Sequence, residues 1–364
     1  MKYKKITGFS LVFVLFFICL SSLFYSCVSL EINNIEQSMY HSCKSDDGMY
    51  HPNAITPENV SYHPSLDSFS LEWWYFEGIF DNGYNAVVNN ILLSKNNIGV
   101  CITHLNIFHI DRPTDSFAKR IYTPFIFFNG SQQYPDIFVH GNQIIDFDED
   151  AYLEDQQWRY HLTVDIEEYA VDLTFVGLSP GWEGETIGGM YGPVLPMASV
   201  NGTLFVDHEE VTVSGLGYHE HAQGITFPVR EWGWYWGKIV GETSSLFWGK
   251  MMNTRWDEQA RAGVFSVINE SFTNIAPTNI EMMLTEYEFH CRRFIPTLFS
   301  YTILDDEQDI YIDVTMETVH VYHLPLGFFN YWRYIIKING VITYQGVREE
   351  LHDEPQIMEL MRFR

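Results

Sequence analysis

Residues 217–224 read GYHEHAQG: two imidazoles flank a carboxyl, and glycines bracket all three. Along an extended chain, side chains alternate between faces. His219 and His221 therefore share one face, and Tyr218 and Glu220 the other. Three kinds of chemistry fit this pattern. Two imidazoles at this spacing can hold a metal ion if a further ligand arrives. His104, His109 and His161 are available, and nothing in the spacing selects one of them. The pair can instead contact a ligand or move a proton, or it can be an interior pair satisfied by hydrogen bonds. The sequence reading assigns no metal and no cofactor. It takes His221 and Glu220 as candidate proton donors, and Tyr218 and His219 as ligand contacts.

A second candidate stretch, EWWYFEG, spans residues 72–78. On a strand, Glu72, Trp74 and Phe76 share a face, with Trp73, Tyr75 and Glu77 opposite. Both faces carry rings, so neither is simply wet. A carboxyl beside buried rings is held protonated by desolvation and can then donate a proton. Glu72 is the third candidate acid, with Trp74 and Phe76 as ligand contacts. A third stretch, EWGWYWGK at 231–238, aligns Trp232, Trp234 and Trp236 on one face and Gly233, Tyr235 and Gly237 on the other. The three indoles form a flat apolar wall, either a core ladder or one side of a ligand pocket. Glycines in a strand mark the close approach of something else.

Other chemistries find no support. There is no Ser/His/Asp signature, phosphate-cradling loop or dinucleotide fingerprint, and the glycine-rich run 181–189 reads as a loop. Net charge is −26, which excludes nucleic acid as a partner because phosphate binding needs a basic face. Five cysteines show no metal-type spacing, and their pairing is not readable.

The elements that must position these groups are strands. Residues 161–166 and 169–175 alternate as a hairpin, and 309–319 has the same period of two. Asp81-Asn82-Gly83 and Asn339-Gly340 read as hairpin turns. Helical periodicity is weak, with a turn or two expected at 254–261. No repeat of 20–50 residues is visible. Before the strands, Lys2, Lys4 and Lys5 precede an apolar run, 6–25, and Ser26-Cys27. This is a secretory signal or membrane anchor, with Cys27 as a lipidation candidate, and it predicts an exported protein of the cell envelope. Residues 27–62 are polar and read as a flexible tether. Four Asn-x-Ser/Thr sites stand at Asn59, Asn129, Asn201 and Asn269.

Several stretches occur together in one order: EWWYFEG, YGPVLPMASVNGTL at 191–204, SGLGYHEHAQG at 214–224, WGWYWGK at 232–238 and YWRY at 331–334. With them the chain resembles the carotenoid 1,2-hydratase (hydroxyneurosporene synthase) and AttH-like superfamily over about residues 65 to 345. Fungal lipocalin-like Diels–Alderases are more distant relatives. The resemblance implies an all-β fold of two lipocalin-like antiparallel barrels side by side, over 63–228 and 229–364. It also implies a pocket for an apolar, often isoprenoid, molecule. In the hydratases an acid protonates a terminal C=C bond and water captures the cation, without a redox cofactor. The family's central motif reads GYHDHNWG; here Glu220, Ala222 and Gln223 replace its Asp, Asn and Trp. The hydratases resemble one another in carrying an acid on the strand after the tryptophan-rich one; here that strand, 245–251, holds Lys250 and no carboxylate. These differences favour a membrane-tethered binder of a lipid-like or isoprenoid ligand. The alternative is a cofactor-independent hydratase, cyclase or isomerase.

Overall fold

The computed structural model describes residues 52–64, 70–96, 98–186, 189–225, 232–253, 256–326 and 329–363. The signal or anchor segment, Cys27 and most of the proposed tether lie outside the described residues. No helix among the described residues is long and apolar enough to cross a membrane.

The fold is all-β, two curled antiparallel half-barrel sheets of lipocalin type. The first contains β1 (Asn53–Ala54), β2 (Ser70–Phe80), β3 (Tyr84–Lys95), β4 (Ile98–His109), β5 (Arg112–Pro124), β6 (Phe128–Gly130), β7 (Ile137–Val139) and β8 (Asn142–Phe147). After the short helix α1 (Glu149–Asp155) come β9 (Arg159–Ile166), β10 (Tyr169–Gly177), β11 (Trp182–Thr186), β12 (Gly189–Val206) and β13 (Glu209–Ile225). The second sheet contains β14 (Trp232–Val240), β15 (Ser244–Asn253), β16 (Glu258–Val267), β17 (Phe272–Ile275), β18 (Ile280–His290), β19 (Arg293–Asp305), β20 (Ile310–Leu326), β21 (Phe329–Tyr344) and β22 (Val347–Phe363).

Both sheets follow one plan. A meander runs outward from the first long strand, β2 or β14, and the last strand, β13 or β22, returns to pair with it. We call this first–last pair the seam. Period-two patterning explains it: β2 and β14 carry large side chains on both faces, so each must be covered on both sides. One face of each seam points into its own barrel. The other joins a third apolar cluster, containing Tyr75, Tyr218, Trp236, Phe247 and Ile335, that packs the two sheets together.

Four local expectations need correction. Asn339-Gly340 is not a hairpin turn: β21 runs through it with a register shift, and Asn339 exchanges two hydrogen bonds with Asp353 on β22, each 2.9 Å. The run 181–189 includes strand β11, which pairs with β1 and β12. The 254–261 stretch forms no helix over its described part, where β16 begins at Glu258. The described end of the proposed tether is docked, with Val60 and Tyr62 buried and the Trp74 indole donating to Val60 O at 3.0 Å.

Candidate functional site

The first seam sets the geometry. Its register places His221 opposite Trp74, Glu220 opposite Tyr75, His219 opposite Phe76 and Tyr218 opposite Glu77. The expected face assignment follows. His219, His221, Glu72, Trp74 and Phe76 look into the first barrel, while Tyr218, Glu220, Trp73, Tyr75 and Glu77 look toward the second.

Inside the barrel, His219 stacks on Phe76 with centroids 3.8 Å apart, and Tyr160 meets its ring edge-on at 4.8 Å. Its Nδ1 donates to Tyr75 O at 2.9 Å, while its buried Nε2 has no partner among the described residues. Burial pushes the ring's pKa down to about 3, so it is neutral at physiological pH. His221 lies 3.1 Å from Glu72 Oε1, and His63 Nδ1 approaches the same oxygen at 3.1 Å. Burial lowers the His221 pKa, and the Glu72 contact opposes that shift.

On the opposite face, Glu220 sits in a cage of donors. The Trp73 indole donates to Oε1 at 3.1 Å and the Tyr218 hydroxyl to Oε2 at 2.8 Å. Tyr191 donates to the same Oε2 through a very short hydrogen bond. Tyr191 in turn accepts from the Trp236 indole of the second sheet at 2.7 Å. Burial raises the Glu220 carboxyl to about 7, with Glu359 adding to the rise and the three donors opposing it. A carboxyl near neutrality can give up and regain a proton in ordinary conditions. Half-buried Trp73 and Tyr191 mark the side where the cage lies nearest solvent.

Two buried ion pairs flank this cage. Lys238 Nζ meets Glu77 Oε1 at 2.5 Å, and Tyr75 donates to Oε2 of the same carboxylate at 3.1 Å. The ammonium also lies 5.0 Å from the Tyr218 ring centroid and 5.6 Å from that of Trp236. Arg333 reaches Glu359 at 3.2 Å and, across the sheets, Asn106 Oδ1 at 3.3 Å.

Known structures share this architecture. An AttH-like protein from Nitrosomonas europaea superposes with a TM-score of 0.63 at 12% identity, covering 86% of this chain and 98% of that one. The chain has the AttH-like fold. Kievitone hydratase from Nectria haematococca matches with a TM-score of 0.54 at 13% identity, over 87% of this chain and 98% of that one. CghA with Sch210972 matches with a TM-score of 0.54 at 8% identity, over 87% and 97%. No family sequence profile matches the chain, and no curated protein matches it by sequence.

Within this AttH-like fold the tryptophan-rich strand does something other than flank an open space. Trp236 is buried between the sheets, against Tyr75, Tyr218 and Phe247, and Trp234 is half-buried beside it. The side chain of Trp232 lies outside the described residues. The room beside Gly233 and Gly237 is taken by the chain's own indoles: a Cβ there would meet Trp256 at 2.4 Å and Trp248 at 2.8 Å. Trp74 and Phe76 are likewise packed core residues.

The three histidines available as further metal ligands lie elsewhere. His104 is buried on β4, His109 packs on Tyr84, and His161 pairs with Asp172 at 3.3 Å. Lys250 pairs with Glu258 at 2.9 Å. Cys101 and Cys291 are free, and Cys43 lies outside the described residues. The sequence reading did not single out Tyr191, Lys238, Arg333, Glu359 or His63. The signal for the first three was present, because each lies inside a stretch that carries the family resemblance.

Proposed function

We propose that the protein is a cofactor-independent acid catalyst acting on an apolar, C=C-containing substrate such as an isoprenoid, with Glu220 as the proton donor. One observation carries this reading: Glu220 is a buried carboxyl titrating near 7, held by two phenols and an indole between two barrels. The protonated carboxyl transfers its proton to one alkene carbon, and the cation develops on the other. Tyr191, Tyr218 and Trp73 then hold the carboxylate through the hydrogen bonds they already make. The half-buried Trp73 ring, whose indole already donates to Glu220, would stabilise the cation by about 0.5–2 kcal/mol. In a hydration, water adds to the cation and its surplus proton returns to Glu220. In a cyclisation, a second C=C attacks instead, and loss of a neighbouring proton restores the acid.

Support from relatives is structural: one neighbour is a hydratase, and two others share the fold. His221 and Glu72, the other candidate acids, face the first barrel and stand apart from the Glu220 cage. The same proposal includes export and tethering through the N-terminus, supported by Lys2, Lys4, Lys5, the apolar run and Cys27. The membrane would then be the source of the apolar substrate.

The test uses isoprenoid polyenes with terminal trisubstituted C=C bonds, in isotopically labelled water. The native chain should yield a product that has gained one labelled water, or a cyclised isomer. Glu220→Gln should lower the rate by at least about 100-fold. Turnover that is unchanged in Glu220→Gln rejects the assignment. Ligand co-purification with no turnover by either chain would instead support a binding role.

A further inference from the structure

The second polar cluster of the first seam, His63, Glu72 and His221, is not used by the Glu220 chemistry. We propose that these three side chains bind a single divalent ion of the zinc class, at the end of the first barrel where the docked segment 57–63 covers it.

The donor set and its geometry argue for this. One ligand atom from each residue lies within 4.8 Å of the other two. Glu72 Oε1 is 3.1 Å from His63 Nδ1 and 3.1 Å from His221 Nε2. Ligands on a tetrahedral zinc ion, at bonds of about 2.0–2.1 Å, stand roughly 3.3 Å apart. Small side-chain adjustments would therefore place an ion between the three atoms. Two imidazoles and one carboxylate suit zinc-class ions better than calcium or magnesium, which prefer all-oxygen shells.

Charge points the same way. The Glu72 side chain is 3% exposed, and its ion-pair partners among the described residues are these two histidines. Glu183, also buried, is close enough to His63 to interact electrostatically with it. A divalent cation would neutralise charge that the Glu72 and Glu183 carboxyls bring to this pocket.

The ligands are held before any ion arrives. Glu72 and His221 are fixed by the seam, with Trp74 packed 5.4 Å from the His221 ring. His63 is placed by its neighbours: Tyr62 N donates to Ser131 O at 2.9 Å, and the Trp74 indole holds Val60. His63 N itself donates to Glu72 at 3.1 Å. His63 is 36% exposed, against 2% for His221, so a water would complete the shell from its side. The ion would then fasten the incoming segment 57–63 to the first seam. The Glu220 cage faces the other way, so neither proposal depends on the other.

The test is equilibrium dialysis of the full chain against Zn2+ after chelator treatment, with the bound metal counted by mass spectrometry. Co2+ serves as a visible-absorbing substitute. The native chain should retain one Zn2+ and give the absorption bands of a low-symmetry Co2+ site. His63→Ala and Glu72→Gln should each weaken Zn2+ binding by at least about 100-fold. Bound Zn2+ should also slow proteolysis within 52–64 in the native chain and not in His63→Ala. His63→Ala changes a partly exposed side chain and leaves the Glu72–His221 contact, so it keeps the test readable if Glu72→Gln fails to fold. Failure of the native chain to retain Zn2+, or equal retention by native chain and His63→Ala, overturns the proposal.

Discussion

Replacing Glu220 by Gln should stabilise the protein, and by an amount that depends on pH. The carboxyl titrates near an ordinary 4.5 when the chain is unfolded and at about 7 in the folded protein. The folded state therefore binds the proton more tightly. A group whose folded pKa is raised contributes its full stability below the unfolded value and loses it as pH rises through the folded one. Between pH 4.5 and 7 this single group should tilt the stability curve downward by about 1.4 kcal/mol per pH unit. The total across the window, about 2.5 pH units, is about 3 kcal/mol. Glutamine mimics the protonated acid, since its carbonyl still accepts from a phenol and its amide donates, so Glu220→Gln should remove that tilt. The assay is urea unfolding at half-unit steps from pH 4.5 to 8, for native chain and variant. The variant should match the native chain near pH 4.5 and exceed it by about 3 kcal/mol at pH 8. Stability curves that run parallel across the window would refute the raised pKa, and with it the argument that Glu220 is a poised acid. A carboxyl that destabilises its own fold is expected where function, rather than stability, selects the residue.

Lys238→Met should leave Glu77 buried without a cation and cost about 3–5 kcal/mol at pH 8. The loss should shrink toward acid pH, where Glu77 can take up a proton, and the double variant Glu77→Leu/Lys238→Met should recover most of it; urea titration of the native chain and the two variants checks this. Gly217→Ala should destabilise by at least about 1–3 kcal/mol, because its Cβ would meet Val200 Cγ2 at 2.3 Å and the Glu77 carbonyl oxygen at 2.8 Å. A thermal melt of Gly217→Ala that overlays the native one would show that the seam can open there without cost.

Alternation alone made the seam legible. Period two placed His219 with His221 and Glu72 with Phe76, and the register keeps those assignments. The Asp81–Gly83 turn and the 161–175 hairpin were readable for the same local reason. What alternation cannot reveal is which face meets which partner. The face with Trp234 and Trp236 resembles a ligand wall because apolar area looks the same whether a ligand or a second sheet covers it. Asn339-Gly340 has turn composition, yet Asn339 is satisfied by Asp353, a partner on the neighbouring strand. The Glu220 cage drew on strands distant in sequence, since Tyr191 comes from β12 and Trp236 from β14. No spacing within one stretch could place them together. The order of the motif stretches was the usable signal, because EWWYFEG, the stretch from 191, GYHEH and WGWYWGK each send at least one side chain to this cage or to the Lys238 pair beside it.

The duplicated plan explains why the chemistry collects where it does. In each barrel the first strand pairs with the last, and the two seams meet at the shared apolar cluster. Seam strands are covered on both faces, so they are the costliest places to put charge. Yet Glu72, Glu77, Glu220, Lys238 and Glu359, all at 6% exposure or less, lie on the four seam strands. Apolar residues there would fold as well or better, since replacing buried ion pairs with packed hydrophobes is often stabilising. Fold stability therefore does not account for this concentration of charge, which is what the proposed acid and metal chemistries call for. The alternation of β13 then divides it, giving Glu220 to the space between barrels and His221 to the barrel interior, so adjacent residues can serve two separate chemistries.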